Sequence, residues 1–423
     1  MLNWATQHHS TSDARIKICF LSHSSEIGGA ELALVELIAA LKQRGISSFV
    51  LVPSRGPLIA KFAPFAADIA VVPYRSWIGK DSVYRKIRRL GRNVLSFPSL
   101  ILQLRRWDCD VIVTNTCTIP TGSMAAALHG KPHVWFIHEF GKEDHGLTYD
   151  LGIRLSTKII DCLSSCIAVN SEAVKQYYAK YICRSPLYVV HYSVELPVDG
   201  GDRPRPLLRQ PPFKLALVGR IQEGKGQLDA VRALSVLRTE GITAELTLAG
   251  GADMNYLSSV KQLARMLRVE DSVRILEHLD NPAQVMANSD IVLLCSRCEA
   301  FGRVTVEALK LGVPVIGSDS GATPEIIRND FNGVLYKTSD PVDLAAQIKR
   351  LIMNPAVAEH LASNARRWAK ETFSSERYAN EFMKVIQEAL SVKSRDRQKG
   401  DTDRGSEGSV TRYNGPVDLH PDA

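Results

Sequence analysis

What this sequence lacks narrows it first. No stretch reaches the roughly 18 consecutive apolar residues that a membrane-spanning helix needs. Met1 to Asp13 is polar and holds no apolar run of the kind a secretory signal requires, so a cytoplasmic, reducing setting is expected. The eight cysteines form no framework. Cys295 and Cys298 make a CxxC and Cys162 and Cys166 a CxxxC, but no second pair follows at zinc spacing, and no metal site is expected. Charge of one sign is not in large excess either. Lys and Arg number 52 against 45 Asp and Glu, a net +7 that is too mild to argue for nucleic acid. Such a balance suits anionic substrates or an anionic membrane surface. The Gly28-Gly29 turn lacks the spacing of a dinucleotide fingerprint, which argues against a nicotinamide cofactor.

What is present is the pattern of a soluble α/β protein. A chain of 423 residues is too long for one ordinary core, and two domains with extras are expected. The most ordered stretch runs from Ile291 to Asp319. Ile291 to Cys295 has the length and apolarity of a buried strand, and a polar loop carrying Glu299 follows. Phe301 and Gly302 lead into a helical pattern from Arg303 to Leu311, which Gly312 and Pro314 stop, and Val313 to Gly317 read as the next strand. In an open parallel sheet such loops lie at the carboxyl ends of strands, where ligands collect. The backbone amides of Gly302, Arg303 and Val304 fall at a helix N-terminus and can hold a phosphate. Glu299 and Glu307, one turn into the helix, can bond hydroxyls. Together they suit a nucleotide sugar.

Taken in order, Ile16 to Ser22 is a strand, and Gly28-Gly29 open a helix from about Ala30 to Arg44. Two glycines before a helix let backbone approach phosphates. Ser48 to Val52, Ala70 to Pro73 and Val111 to Asn115 read as further strands. Between the last two lies a basic and apolar segment, Tyr84 to Trp107, which Pro98 is expected to break into two helices. Two readings of it stay open. It can be an interfacial helix on an anionic leaflet, with Leu95, Phe97, Leu100, Ile101 and Leu104 buried in lipid, or a charged solvated face over ordinary core. Pro132 to Ile137 is a strand ending at His138. Cys166 to Val169 is another, with Asn170 or Ser171 as the cap of the helix after it. Pro197 to Pro212 is dense in Pro, Gly and charge, as a linker is. Phe213 to Val218 then opens a second alternation with Gly219-Arg220 and Lys225-Gly226 on its first loop. Two cations ahead of a helix suit a diphosphate. Helices are expected over Pro341 to Ile352 and Ala356 to Leu390, and disorder from Ser391 on.

Three of these stretches, GGAELALVELIAALKQRGI, LALVGRIQEGKGQLDAVRAL and EAFGRVTVEALKLGVPVIGSDSGATPEII, together resemble the retaining glycosyltransferases of family 4. The resemblance covers about residues 16 to 390. It implies the GT-B architecture, two doubly wound, Rossmann-like parallel-sheet domains facing across a cleft. The divisions expected are an acceptor-side domain at 1–198, a linker at 199–212 and a donor-binding domain at 213–370. A C-terminal helix at 371–392 returns to the first domain, and 393–423 is a tail. The implied activity is retaining transfer of a hexosyl-type sugar from a nucleotide donor to a saccharide or lipid-linked acceptor, in polysaccharide or glycolipid biosynthesis. Arg220 and Lys225 would meet the leaving diphosphate, Glu299 the sugar hydroxyls and Glu307 the ribose, while His138 would point at the donor sugar. Gly28, Gly29, Gly219, Phe301, Gly302, Arg303 and Val304 would complete the donor site. No cofactor and no metal are implied, since no Asp-x-Asp falls in a plausible donor loop. The resemblance departs at the end of the first domain, where the family's Asn-Gly-Val-Asp is replaced by Tyr192-Ser193-Val194-Glu195. A nucleotide-sugar epimerase of the same architecture and a non-catalytic nucleotide-binding subunit are the rival readings. An epimer formed without acceptor would mark the first, and absence of turnover the second.

Overall fold

A computed structural model describes residues 16–79, 82–141, 146, 148–196, 210–277 and 281–406, with side chains through residue 392. The polar N-terminal stretch, most of the expected linker and residues 407–423 lie outside the described residues. Two parallel sheets organise the chain. The first takes β1 (Lys17–Ser22), β2 (Ser47–Val52), β3 (Asp68–Val71), β5 (Val111–Asn115), β6 (His133–Ile137), β8 (Cys166–Val169) and β9 (Leu187–Val189), in the order β3-β2-β1-β5-β6-β8-β9. A small antiparallel pair, β4 (Ile78–Gly79) with β7 (Thr148–Tyr149), stands beside it. The second sheet takes β10 (Phe213–Val218), β11 (Ala244–Ala249), β12 (Val273–Leu276), β13 (Ile291–Leu294), β14 (Val315–Ser318) and β15 (Val334–Tyr336), in the order β12-β11-β10-β13-β14-β15.

The strands read as continuous apolar runs because helices cover both faces of each sheet. In β1 all residues after Lys17 are buried, and β5, β6 and β8 are buried throughout. Helix Gly29–Gln43 packs Leu34, Leu37, Ile38 and Leu41 on the first sheet at the period of an amphipathic helix. The helix beginning at Ser375 crosses back and covers the same sheet, burying Tyr378, Phe382, Met383, Ile386 and Ala389. Its Phe382 ring stands 5.8 Å from those of Phe20 and Phe136.

Two elements differ from the sequence reading. Val83–Trp107 is one continuous helix with Pro98 inside it. The proline lies on the exposed side, and Ser96, Leu100 and Leu104 anchor the helix to the protein on either side of it, which offsets the lost backbone bond. Leu100 and Leu104 are therefore core residues, not lipid-facing ones. The last helix runs to Ser406, past the residue at which disorder was expected.

Candidate functional site

The carboxyl ends of both sheets face a common cleft of about 590 Å³. Each sheet reverses its strand order there, between β1 and β5 in the first and between β10 and β13 in the second. At such a point the loops leave in opposite directions and open a crevice. The loops after those four strands, with the first turns of the helices they lead into, supply most of the lining.

The second domain contributes a cationic wall. Arg220 is exposed on the loop after β10, and Lys225 lies deeper on the same loop. Lys225 Nζ donates to Glu299 Oε2 at 2.8 Å, so the expected diphosphate cation and the expected sugar carboxylate are ion-paired. Their loops can meet because Gly226, at φ 74°, separates them: a Cβ there would fall 2.1 Å from the Cys295 carbonyl oxygen. Gly302 caps helix Arg303–Leu311 at φ 91°, a conformation that only glycine adopts cheaply. Beyond it the first-turn amides of Arg303 and Val304 are donors that a helix leaves without intrahelical acceptors. Gly219, Phe301, Gly302, Arg303 and Val304 all line the cleft.

Two expected site residues behave differently. The Arg303 guanidinium reaches across to the first domain and grips Glu36 through both carboxylate oxygens, at 2.9 and 2.8 Å. Glu307 is not among the lining residues. It is half-buried; burial raises its pKa, Arg303 pulls it down and Glu36 raises it further, for a net upward shift.

The first domain contributes a wall of histidines and carboxylates. Of the two glycines, Gly29 lines the cleft, and Gly28 precedes the helix as its cap. His138 lies on the lining, buried, at the end of β6. Its Nε2–H donates to Asn115 Oδ1 at 2.7 Å, and its Nδ1 accepts a short hydrogen bond from the Tyr192 hydroxyl. Burial, with His23 adding, pushes its pKa down to about 3, so the ring is neutral. With both nitrogens engaged, the ring can reach a sugar only by releasing Asn115 or Tyr192. Glu139 accepts from the amides of Cys117 and His138 at 3.0 and 3.1 Å. His23 Nδ1 stands 2.9 Å from Glu31 Oε1, in poor hydrogen-bond alignment, as an ion pair. Burial alone would lower the His23 pKa, but Glu31 and then Glu139 outweigh it and raise it.

Sequence reasoning missed His23, Glu31, Glu36, Glu139 and Tyr192. Glu31 and Glu36 carry no mark beyond their place in an amphipathic helix, and their partners are distant in sequence. Tyr192 did leave a signal. It stands in the segment that departs from the family pattern, and its hydroxyl, which also accepts from Asn170 Nδ2 at 3.1 Å, fixes the His138 tautomer. Of the two expected caps, Ser171 accepts from the Val174 amide, while Asn170 serves the cleft.

Comparison with known proteins bears on this geometry directly. Residues 27–196 match the family model described as Glycosyltransferase Family 4, and residues 201–368 that described as Glycosyl transferases group 1. A glycogen synthase of Mycobacterium tuberculosis is 32% identical over 304 residues, covering 70% of this chain and 72% of that one. N-acetyl-alpha-D-glucosaminyl L-malate synthase of Bacillus anthracis is 32% identical over 173 residues, 41% of this chain and 45% of the relative, so that match spans less than half of the relative's length. Anabaena Alr3699/HepE, solved in complex with UDP-glucose, shares the fold at a TM-score of 0.72 and 22% identity, covering 88% of this chain and 100% of that one. Two Rossmann-like sheets, a cleft at both reversal points and these matches lead to one conclusion: the chain belongs to the family 4 glycosyltransferases, enzymes of the GT-B fold.

Proposed function

We propose that this transferase moves a hexosyl group from a nucleotide-diphosphate sugar to a saccharide or lipid-linked acceptor, with retention of configuration and without metal or cofactor, in polysaccharide or glycolipid biosynthesis. The observation that carries the reading is the Lys225–Glu299 pair, 2.8 Å apart, on the cleft wall that also holds Arg220 and the helix N-terminus at Gly302. Breaking the bond between the anomeric carbon and the diphosphate oxygen puts new negative charge on the leaving group. Arg220, Lys225 and the amides of Arg303 and Val304 are placed to meet it. Each preorganised donor of this kind can lower the barrier by about 3 kcal/mol.

The carboxylates on the cleft are already committed. Glu299 holds Lys225, Glu139 holds two amides and Glu31 holds His23. That favours a front-face route in which no protein carboxylate attacks the sugar. The acceptor oxygen bonds the anomeric carbon on the face the diphosphate leaves, and its proton passes to a departing phosphate oxygen. The second domain would hold the donor and the first the acceptor. The Asp-x-Asp at Asp108–Asp110 is used elsewhere, Asp108 with Lys131 and Asp110 with the Lys17 amide.

The test is a nucleotide-release screen over donors, with soluble and lipid-linked acceptors, and anomeric assignment of the product. Turnover is expected to persist in a chelator and to give a retained anomer. An inverted product, or activity lost to chelation and restored by Mg²⁺ or Mn²⁺, would refute the corresponding part of the proposal.

A further inference from the structure

Helix Val83–Trp107 is inside out along its first half. Between residues 83 and 95 the side chains that turn toward the protein are polar. Arg89 Nη2 donates to Asp150 Oδ1 at 2.6 Å with Lys86 3.9 Å from the same oxygen, and Asn93 bonds the backbone of Arg75 at 2.6 and 3.1 Å. The side chains that face outward are apolar. Val83, Tyr84, Ile87, Leu90, Val94 and Leu95, continued by Leu102, are between 64% and 81% exposed. At 3.6 residues per turn these seven fill a sector of about 140°. A helix meant to face water has the reverse pattern, and a contiguous exposed apolar stripe marks a surface that something covers.

The charge around the stripe says what covers it. Arg88, Arg92 and Arg106 are exposed in a row along one border, and no Asp or Glu occurs between Ser82 and Trp107. A second copy docked here would set these cations against their own kind. The Arg89–Asp150 bridge ties the helix to a neighbouring segment of the same character: Leu151 and Leu155 are exposed, with Arg154 and Lys158 exposed beside them. Apolar side chains at headgroup depth with cations reaching phosphates are the requirements of an anionic bilayer surface. No described helix is long and apolar enough to cross a membrane.

We propose that the outward side chains of residues 83–95, with Leu102, Leu151 and Leu155, form a face that lies in the headgroup layer of an anionic membrane. This differs from the sequence expectation in its inserted residues, since Leu100 and Leu104 are buried in the protein. The face also lies near the cleft. Arg89 of the helix holds Asp150, whose amide donates to the Trp77 carbonyl at 2.8 Å, and the Trp77 amide donates to the carbonyl of Thr118, a cleft residue, at 2.9 Å. A lipid-linked acceptor would then be met on the first-domain side, a clause that rests on the proposed function.

The test is co-sedimentation with phosphatidylcholine vesicles, with and without phosphatidylglycerol. The full-length protein is expected to bind the anionic vesicles, to bind the neutral ones weakly and to be partly released by salt. The triple variant Ile87→Ser, Leu90→Ser, Val94→Ser should bind about tenfold or more weakly, and Arg88→Ser with Arg92→Ser should remove most of the salt-sensitive part. Because these side chains touch no core, both variants should keep the parent's thermal midpoint and donor hydrolysis within about twofold. Failure of the parent to bind anionic vesicles, equal binding by the triple variant, or a dimer that the triple variant makes monomeric would each overturn the proposal. Vesicle binding is read without turnover, so a protein that binds but transfers no sugar would sink the transferase reading and leave this one standing.

Discussion

At the scale of single residues, the proposed function assigns some cleft groups to meet charge and others to fix geometry. Arg220→Ala and Lys225→Ala should each lower kcat by about 10²-fold or more in the nucleotide-release assay while leaving the fold intact, because both sit on a loop. Full activity in either would remove it from the leaving-group set. Tyr192→Phe should act differently. It leaves the buried Nδ1 of His138 without its donor, at a cost of about 1–3 kcal/mol in stability, and frees the ring to change tautomer. Thermal melts across pH should show histidine effects of opposite sign. His133 and His138 are both pushed down to about 3 by burial from an ordinary 6.5. The unfolded chain therefore takes up more protons through that window, and stability should fall as pH drops across it. His133→Gln should flatten this acid limb. His23 is raised by Glu31, so its contribution is full below 6.5 and is lost as pH rises through its folded value. Glu31→Gln should accordingly cost more stability at the acid end than at the alkaline end; an equal deficit at both ends would discard the pairing. The position of Arg220, Lys225 and Glu299 on the cleft was legible because each stands in a long ordered stretch. The sequence hid the partners of His138 because Asn115 and Tyr192 approach only when β5, β6 and the end of the first domain assemble.

At the scale of elements, the strands and most helices were legible because buried parallel strands leave continuous apolar runs and helices leave a 3.6-residue period. Pro98 misled because local propensity was weighed without the packing that overrides it. The departure at Tyr192-Ser193-Val194-Glu195 has a physical account as well. Arg377 donates to the carbonyls of His191 and Tyr192, Lys310 to that of Val194 and Arg303 to that of Ser193. Contacts made to main chain do not depend on which side chains the segment carries. The two domains are also joined helix to helix. Glu325, in helix Thr323–Ile326 of the second domain, accepts from the amides of Glu172 and Ala173 at 2.8 and 2.7 Å, at the N-terminus of helix Glu172–Tyr178 in the first. A carboxylate is favoured at that end of a helix dipole, and losing such a cap costs about 1 kcal/mol. Glu325→Ala should therefore loosen closure: scattering should report a larger radius of gyration, and KM for the donor should rise more than kcat falls. An unchanged radius and unchanged KM would mean that Glu325 does no more than cap its neighbour.

At the scale of the whole molecule, the chain's end is part of its beginning. The first sheet buries Phe20 and Phe136 against Phe382, and Arg44 bonds Asn380. A chain ending at Thr372 should lose the first domain's cooperative unfolding and aggregate, since removing one buried aromatic of this kind costs about 3–5 kcal/mol. A chain ending at Val392 should melt close to the parent, as Ala389 is the last buried side chain among those described in that helix. Light scattering and calorimetry on the two truncations would check both. The same packing has a consequence during synthesis. A ribosome releases β1 through β9 long before it reaches Ser375, and domains ordinarily fold as they emerge, N-terminal first. Here the first half must wait on the tunnel with the part of one apolar sheet face beside helix Gly29–Gln43 uncovered until the helix beginning at Ser375 arrives, so the nascent protein passes through a stage that invites chaperones and proteases. Nascent chains stalled at residue 374 should be cleaved readily within residues 16–196, and release of the full chain should abolish that sensitivity.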